Sequence, residues 1–337
     1  MSKLYVLGDL HFSCMNPWNL IIGNKFLEWF EKLNIDPESE LIQLGDLFEV
    51  PVNGGLVFDQ VSKFVSLCQS KFKFTYFLTG NHDKKVYRNV EQNALEFIKH
   101  KPKCMVIEKP SIIDTQNNFK FIALPHLTTD GIDFNKFLMT RLPTKFYDTQ
   151  VDLLVAHTDI RIPGHPFMND GIELSKFKAS KYALGHIHTR IKEEYTGSAW
   201  PNKINEEYSE KPRVMKCFER KINVSGNIVN GADILLPTLV KYDDVIYPNT
   251  PVNTDPNIVN IYTVSNCSNL QIAKLHYSDY FIKGVVKATQ INNTNNASSS
   301  YTFKIDKPID ALKNYITETG STLSRPLYKY LDGLFTS

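Results

Sequence analysis

The amino-acid sequence predicts an α/β protein whose strands and helices form stacked layers, followed by a smaller C-terminal region rich in short strands. Apolar, β-rich runs alternate with amphipathic helical patterns as far as about residue 190. Beyond about Pro212, short β-like runs are separated by Asn, Pro, Asp and Gly. The early runs also end in side chains that bind metals, and ligands at strand ends can converge on one edge of an α/β sheet.

The individual elements follow from the same patterns. Strands that end in polar residues are predicted over residues 3–11, 41–47, 74–83, 151–158 and 182–188. Apolar residues recur at helical spacing at Phe26, Leu27, Phe30 and Leu33, and again at Val57, Val61, Phe64, Val65 and Cys68. A third amphipathic helix is predicted over NVEQNALEFIKH, residues 89–100, and a hairpin turning at QNN over residues 111–125.

The polar residues at the strand ends form five clusters in a fixed order: Asp9 and His11, Asp46, Asn81 with His82, His157, and His186 with His188. Carboxylate and amide oxygens suit a hard divalent ion, imidazole suits Mn, Fe, Ni or Zn, and a bridging carboxylate can hold two ions close together. A two-residue step along an extended segment keeps both members of a pair on one face. The clusters therefore predict one dinuclear metal site.

These clusters, GDLH, GDLFE, GNHD, AHTD and GHIH, resemble the ordered motifs of the calcineurin-like metallophosphoesterase superfamily. The resemblance implies a four-layer α/β/β/α sandwich with a smaller C-terminal α+β cap domain. It also implies two divalent metal ions, Mn²⁺ in the first place and Mg²⁺, Fe²⁺ or Zn²⁺ as alternatives. One ion would be held by Asp9, His11, Asp46 and His188, and the other by Asp46, Asn81, His157 and His186. By the same resemblance His82 is catalytic without binding metal, and Asp83 orients its ring.

The segment after the last motif narrows the resemblance. The run EEYTGSAWPNKINEE, residues 193–207, is similar to the Mre11/SbcD DNA nuclease family, in which Y-x-G-S and then an acidic residue follow the last histidine motif. This implies 3′-to-5′ exonuclease and single-strand endonuclease activity in DNA end processing, repair, recombination or replication. It also implies an SbcC/Rad50-like ABC ATPase as partner and a homodimer within a heterotetramer. The sequence departs from the family at Phe12 and Ser13, and it is shorter than most cellular members.

The same resemblance divides the chain into three parts. Residues 1–211 form the nuclease domain, residues 212–306 a cap or DNA-recognition domain, and residues 307–337 a C-terminal helical tail that could dock on the ATPase. The apolar residues of the tail also fit ordinary intramolecular packing. The polar tract INNTNNASSS, residues 291–300, predicts a loop. Because the chain contains no Walker A sequence, any ATP dependence must come from another chain.

The net charge of +2 is too small to indicate a nucleic-acid-binding protein by itself. Its local distribution is more informative, because Lys84, Lys85 and Arg88 follow GNHD, while Arg190 and Lys192 follow GHIH. Positive charge beside these two motifs suits a polyanion passing the metals, and we expect contacts with DNA there. The alternative is that these side chains are solvated loop residues.

Two other functions stay open at this level. One is a calcineurin-like hydrolase that acts on small phosphoesters or phosphoproteins, and the other is a mainly structural subunit that tethers DNA ends.

Two residues near the motifs are also open to interpretation. Glu49 is interpreted as a solvated turn carboxylate, and His126 as a loop histidine without a role in the site, with contact to substrate or a place behind the ligands as the alternatives.

The sequence also predicts the cellular location. Its five cysteines include no CxxC pair, which favours a reducing compartment. No apolar run approaches the roughly 18 residues that span a bilayer, and the first strand begins where a leader would stand. We therefore expect a cytoplasmic protein with no membrane partner, located in the host cytoplasm if it is encoded by a phage.

Overall fold

The computed structural model describes residues 2–14, 17–51, 55–87, 90–126, 142–160, 171–188, 192–200, 213–220, 228–236, 238–242, 258–264 and 281–284. The helices are α1 (Pro17–Lys32), α2 (Gly55–Lys71) and α3 (Lys145–Asp148), with 3-10 turns at Glu96–Ile98 and Leu174–Lys176. The strands are β1 (Lys3–Leu7), β2 (Glu40–Gln43), β3 (Phe74–Leu78), β4 (Lys84–Tyr87), β5 (Val90–Asn93), β6 (Cys104–Ile107), β7 (Ser111–Asp114), β8 (Lys120–Leu124), β9 (Val151–His157), β10 (Ala179–Gly185), β11 (Val214–Arg220), β12 (Ile228–Asn230), β13 (Ile234–Leu235), β14 (Thr238–Tyr242), β15 (Ile258–Val264) and β16 (Phe281–Gly284).

Two sheets carry the five predicted strand ends. The first has the order β12-β11-β1-β2-β3-β6, with β13 paired to β11, and its strands β1, β2, β3 and β6 run parallel. The second has the order β10-β9-β8-β7, in which β8, β9 and β10 run parallel. Parallel strands end at the same edge of a sheet, so the residues that follow them are brought together.

The two sheets pack face to face, and alternation along each strand explains how. In β1, Leu4 and Val6 join the core between the sheets, whereas Tyr5 and Leu7 face the helices. In β8, Phe121 likewise faces the first sheet. Both faces of these strands are therefore buried, which is why they read as nearly continuous apolar runs.

Helices α1 and α2 cover the other face of the first sheet, as their helical spacing predicts. Phe26, Phe30 and Phe64 are buried, and the Phe30 ring centroid lies 5.6 Å from that of Phe26 and 5.1 Å from that of Phe64. Burying each such side chain stabilises the fold by roughly 1.5–3 kcal/mol. The aromatic contacts fix the helices against the sheet that holds the first three motifs.

The outer face of the second sheet is covered more thinly in the part of the chain that the structure describes. Leu154 and Leu184 pack there against Phe146 of α3 and against Tyr195. The mixed α/β architecture is confirmed. The full helical fourth layer and the C-terminal cap stay predictions, since α3 has only four residues.

One predicted helix is wrong. The segment NVEQNALEFIKH contains strand β5 and a 3-10 turn instead of an α-helix. Strand β5 pairs with β4, and the Asn93 side chain accepts from Leu95 N and donates to Glu108. These tertiary and turn bonds replace the helical hydrogen bonds. The hairpin predicted over residues 111–125 is confirmed as β7 and β8.

The first sheet continues past the expected end of the nuclease domain. Strand β11 pairs antiparallel with β1, and β12 and β13 pair with β11. The boundary predicted after residue 211 therefore falls within this sheet. Further on, β14, β15 and β16 form a parallel three-stranded sheet. Two predicted segments lie outside the described residues: the tail, residues 307–337, and the tract 291–300. Among the described residues, no helix has the length and apolar character needed to cross a membrane.

Candidate metal centre

The predicted ligands meet at the carboxyl ends of the parallel strands. Asp9 and His11 follow β1, Asp46 follows β2, Asn81 follows β3, His157 ends β9, and His186 and His188 follow β10. Three groups of donor atoms within 4.8 Å of one another result: Asp9, His11 and His188; Asp46, His157 and His186; and His11, Glu49 and His82. The first two groups are the two halves of the predicted dinuclear site.

The first half contains buried donor atoms with no hydrogen-bond partner among the described residues. These are Nε2 of His11 and Oδ1 of Asp9. The other oxygen of Asp9 accepts from the backbone N–H of His186 at 2.9 Å, and the ring centroids of His11 and His188 are 4.7 Å apart. Burying a polar atom without a partner costs free energy, and a bound cation would remove that cost by accepting these lone pairs. This donor set therefore fits a cation.

The second half converges on the side-chain oxygen of Asn81. That oxygen lies 2.9 Å from Nε2 of His157 and 3.0 Å from Nδ1 of His186. The Nδ1 of His157 lies 2.8 Å from the carbonyl oxygen of Leu44. Because a carbonyl can only accept, Nδ1 carries the proton and the Nε2 lone pair of a neutral ring points into the site.

Asp46 connects the two halves. Its Oδ2 lies 3.2 Å from Nε2 of His157 and 3.5 Å from Nε2 of His11. Its Oδ1 accepts from the backbone N–H of His82 at 2.8 Å. A single carboxylate oxygen therefore stands between one histidine of each half, which is the position that a bridging ligand requires.

Burial and charge act in opposite directions in this site. Burial raises the pKa of the Asp9 carboxyl. For Asp46, burial is outweighed by the neighbouring His157 and His11, and the pKa is lowered. For His157, burial is outweighed by the carboxylates of Asp46 and Asp9, which raise its pKa to about 10. The two buried carboxylates are therefore stabilised by positive charge close to them, and either a proton on His157 or a divalent cation can supply that charge.

Three of the candidate ligands have a strained backbone. The φ angles of His11, Asp46 and His186 are +44°, +49° and +78°, in the left-handed region that non-glycine residues seldom adopt. The backbone N–H groups of Leu10 and His11 both donate to the carbonyl of Asp46, which holds the first two motifs against each other. Such strain persists where surrounding contacts impose it, and it occurs frequently at functional sites.

The glycines that precede Asp46 and Asn81 allow this close packing. Gly45 has a φ of +104°, and a Cβ on it would lie 2.5 Å from Nδ1 of His157. A Cβ on Gly80 would overlap the Asp46 carboxylate and backbone. Only a residue without a side chain fits between the loops at these two positions.

His82 lies at the rim of the site, with its ring centroid 4.8 Å from that of His11. Its Nδ1 lies 2.7 Å from the carbonyl oxygen of Glu49, so the ring is oriented by that carbonyl. Asp83 was expected to orient the ring, but both of its buried oxygens accept from backbone N–H groups, those of Phe48 and Gly80. Asp83 therefore holds the GDLFE and GNHD loops together.

A family model described as calcineurin-like phosphoesterase matches residues 2–190, more than half of the chain. The chain belongs to the calcineurin-like phosphoesterase family. All the candidate ligands lie within the matched residues, and the family consists of phosphoester hydrolases that bind divalent metals.

Other comparisons add less about this phosphoesterase. A search of curated proteins finds no match. Solved structures similar to it include a phosphopantetheinyl hydrolase from Mycobacterium tuberculosis, with 15% identity, a TM-score of 0.35, and coverage of 63% of this chain and 93% of that chain. They also include the protein of unknown function AQ665 from Aquifex aeolicus, with 16% identity, a TM-score of 0.32, and coverage of 53% and 88%. Both TM-scores are below 0.5, so no conclusion about function follows from them.

Three further residues lie at the site of this phosphoesterase, and of these the sequence offered only His126 as an alternative. Glu49 is not merely solvated, because its Oε2 lies 2.7 Å from Nδ1 of His11. His126 follows β8, its ring centroid lies 6.4 Å from that of His157, and burial lowers its pKa to about 4. Asp159 stands beside His186. The position of His126 just after a strand is the signal that could have identified it.

The predicted DNA contacts are only partly described. The Lys84 side chain is 9% exposed, so it is largely covered, whereas Lys192 is exposed. The side chains of Lys85, Arg88 and Arg190 lie outside the described residues. Contacts between these residues and DNA therefore stay a prediction.

The Y-x-G-S segment of the phosphoesterase is buried beneath the site. The backbone N–H of Ser198 donates to the carbonyl of His188 at 3.0 Å, and that of Ala199 donates to the carbonyl of Asp9 at 2.7 Å. Tyr195 is fully buried. The segment thus ties the first motif to the last, and its contribution to the site is structural.

Proposed function

We propose that this calcineurin-like phosphoesterase is a two-metal phosphodiesterase that cleaves DNA, with 3′-to-5′ exonuclease and single-strand endonuclease activity. The observation that carries the two-metal part is the position of Asp46 Oδ2 between His157 and His11. The DNA part is supported by the order of the motifs and by the Tyr195–Ser198 segment, which resemble the Mre11/SbcD nucleases. We also propose an SbcC/Rad50-like ABC ATPase as its partner.

The ligand sets proposed are Asp9, His11, Asp46 and His188 for one ion, and Asp46, Asn81, His157 and His186 for the other. The unpaired buried atoms of Asp9 and His11 fit this assignment. A mixed set of nitrogen and oxygen donors accepts Mn²⁺, Fe²⁺ or Zn²⁺, and we propose Mn²⁺. When bound, such ions neutralise phosphoryl charge and lower the pKa of water.

His82 is the residue of this chain that we propose to act on the substrate phosphate. The Glu49 carbonyl accepts from its Nδ1, so Nε2 is the nitrogen available to the substrate. A protonated ring can stabilise phosphoryl charge or give its proton to the leaving oxygen. The ring is only partly buried, which is the exposure that contact with a large substrate requires.

A homodimer is also proposed, and the surface between α1 and α2 supports it. A cavity of about 270 Å³ there is lined by apolar and polar residues, including Leu20, Leu27 and Leu56. Leu56, which lines this cavity, is 64% exposed. An exposed apolar groove of this kind is typical of an interface. Sedimentation should show a dimer that Leu56→Asp converts to a monomer, whereas the exposed charge swap Asp59→Lys at the groove edge should weaken it less.

The test of function is cleavage of DNA by the purified chain. Single-stranded and duplex DNA labelled at the 3′ or 5′ end would be incubated with Mn²⁺, with Mg²⁺ and with EDTA. We expect degradation that requires Mn²⁺, is lost in Asp46→Ala and is kept in Asp148→Asn, a matched change at an exposed residue. The label that is released gives the polarity.

Two results would contradict the DNA proposal in different ways. Hydrolysis of bis-p-nitrophenyl phosphate without DNA cleavage would indicate a hydrolase of small phosphoesters or phosphoproteins. DNA binding with two bound ions and no hydrolysis of either compound would instead indicate a structural subunit that tethers DNA ends.

A further inference from the structure

Asp159, which lies two positions after His157, faces a candidate metal ligand from outside the site. Its Oδ1 is 3.8 Å from Nε2 of His186. The other ring nitrogen of His186, Nδ1, points toward the side-chain oxygen of Asn81 at 3.0 Å. The imidazole of His186 therefore stands between Asn81 on the site side and a carboxylate on the outer side.

The backbone around Asp159 is held by Tyr195. The hydroxyl of Tyr195 donates to the carbonyl of Thr158 at 3.4 Å and accepts from the N–H of Ile160 at 2.9 Å. The carbonyl of Asp159 accepts from the N–H of Ile172 at 2.9 Å. The peptide groups on both sides of Asp159 are thus fixed, and Tyr195 itself is buried in the core of the second sheet.

His186 needs an external group to hold its ring. Its φ of +78° is strained, and its side chain is 30% exposed, whereas the side chains of His11 and His157 are fully buried. Those two rings are each held on the outer nitrogen by an oxygen, from Glu49 and from Leu44. The Asp159 carboxylate lies on the corresponding side of the His186 ring, but at 3.8 Å it is an ion-pair neighbour rather than a hydrogen-bond partner in this structure. An oxygen acceptor behind a histidine ligand sets its tautomer and its orientation.

We propose that Tyr195 and Asp159 are positioning residues for the second metal ion. The Tyr195 hydroxyl fixes the backbone of Asp159, and the Asp159 carboxylate beside Nε2 would then favour the ring orientation in which Nδ1 faces the Asn81 oxygen. The inference rests on the proposed two-metal function.

The test is calorimetric titration of Mn²⁺ into protein that has been stripped with a chelator. We expect wild type to bind two ions. Asp159→Asn and Tyr195→Phe should each weaken the second ion by about tenfold or more and leave the first unchanged, since loss of a group behind a histidine ligand costs about 10- to 100-fold in metal affinity. Asp159→Glu should recover part of the loss.

Two matched controls separate this role from general packing. Tyr182→Phe removes a hydroxyl that bonds the carbonyl of Leu174 beside the same core, and Asp148→Asn removes an exposed carboxylate. Neither should change the affinity for either ion. The double variant Asp159→Asn/Tyr195→Phe should be hardly worse than Asp159→Asn alone, because both changes act through one contact.

The outcomes distinguish the two proposals. If wild type binds two ions and Asp159→Asn binds both as tightly, the positioning role is wrong. The role of Tyr195 is wrong if Tyr195→Phe weakens both ions equally along with its thermal stability, or if its effect adds fully to that of Asp159→Asn. If wild type binds fewer than two ions, the two-metal function itself is wrong.

Discussion

Asp46 and His157 come from different sheets, yet Oδ2 of Asp46 lies 3.2 Å from Nε2 of His157. The contact forms because β2 and β9 end at the same side of the two-sheet core. It places a carboxylate of the first sheet among the imidazoles of the second. The proposed dinuclear site is therefore built across the interface between the sheets, and its integrity depends on how they pack.

The first prediction concerns the bridging position. Asp46→Asn removes the charge that faces both His11 and His157, so we expect the bound Mn²⁺ to fall below two ions per chain. Phosphodiester hydrolysis should fall by about 10²-fold or more, because the chain would no longer hold both of the ions that neutralise phosphoryl charge and lower the pKa of water. Metal analysis and turnover measured on the same preparation check this. Two tightly held ions in the variant would contradict the bridging role.

The second prediction separates catalysis from metal binding at His82. His82→Ala should retain both ions and lose about 10²- to 10⁴-fold in turnover, the usual range for removal of a positioned acid or base. Titration with Mn²⁺ and steady-state kinetics provide the two readouts. The assignment of His82 is wrong if the variant loses an ion.

The third prediction follows from the contacts of Asp83. In Asp83→Ala, the buried N–H groups of Phe48 and Gly80 lose their acceptor. Leaving buried donors unsatisfied costs about 1–3 kcal/mol each, so the free energy of unfolding should fall by roughly 2–6 kcal/mol. Urea denaturation in the presence of EDTA measures this change in the free energy of unfolding. An unchanged unfolding midpoint, with activity lost, would show that Asp83 acts on the reaction instead.

The fourth prediction concerns the end of the sheets opposite the metal site. The buried carboxylate of Glu40 accepts from the Tyr76 hydroxyl and from the backbone N–H groups of Gln116 and Asn117, which ties the β7–β8 turn to the first sheet. Glu40→Ala should lower the free energy of unfolding by about 3 kcal/mol and leave Mn²⁺ affinity unchanged. A large loss of metal affinity at full stability would contradict this separation.

The fifth prediction is a pH dependence that comes from His126. Burial, with a smaller effect of His157, lowers the pKa of His126 from 6.5 to about 4. As the pH falls, His126 becomes protonated in the unfolded chain near pH 6.5 but in the folded chain only near pH 4. The free energy of unfolding therefore decreases as the pH falls from about 6.5 to about 4. For the metal-free protein this amounts to at most about 3 kcal/mol. Denaturation midpoints at several pH values should show a weaker acid dependence in His126→Asn, and equal slopes would contradict the assignment.

Two failures of sequence-based prediction in this chain have different causes. Residues 89–100 carry a helical apolar pattern, but pairing of β5 with β4 decides their structure. Glu49 looks like an ordinary turn carboxylate until His11 is placed beside it. His11 is 38 positions from Glu49, so local spacing could not show that contact. Strand β4 lies just before residues 89–100, but the helical apolar pattern gave no sign that the two segments form a hairpin.

By itself, the sequence determined the strands with candidate ligands at their ends, the two helices that cover the first sheet, and the phosphoesterase motifs. These are local properties, set by residue periodicity and spacing within a few positions. Only the tertiary structure decided which atoms meet: Asp46 between two histidines, Asp83 on backbone amides, and Tyr195 behind Asp159. The carbonyl of Leu44 fixes the tautomer of the candidate ligand His157, which is 113 positions away. Contacts over such separations are set by the packing of two sheets, and no pattern within one strand or helix encodes them.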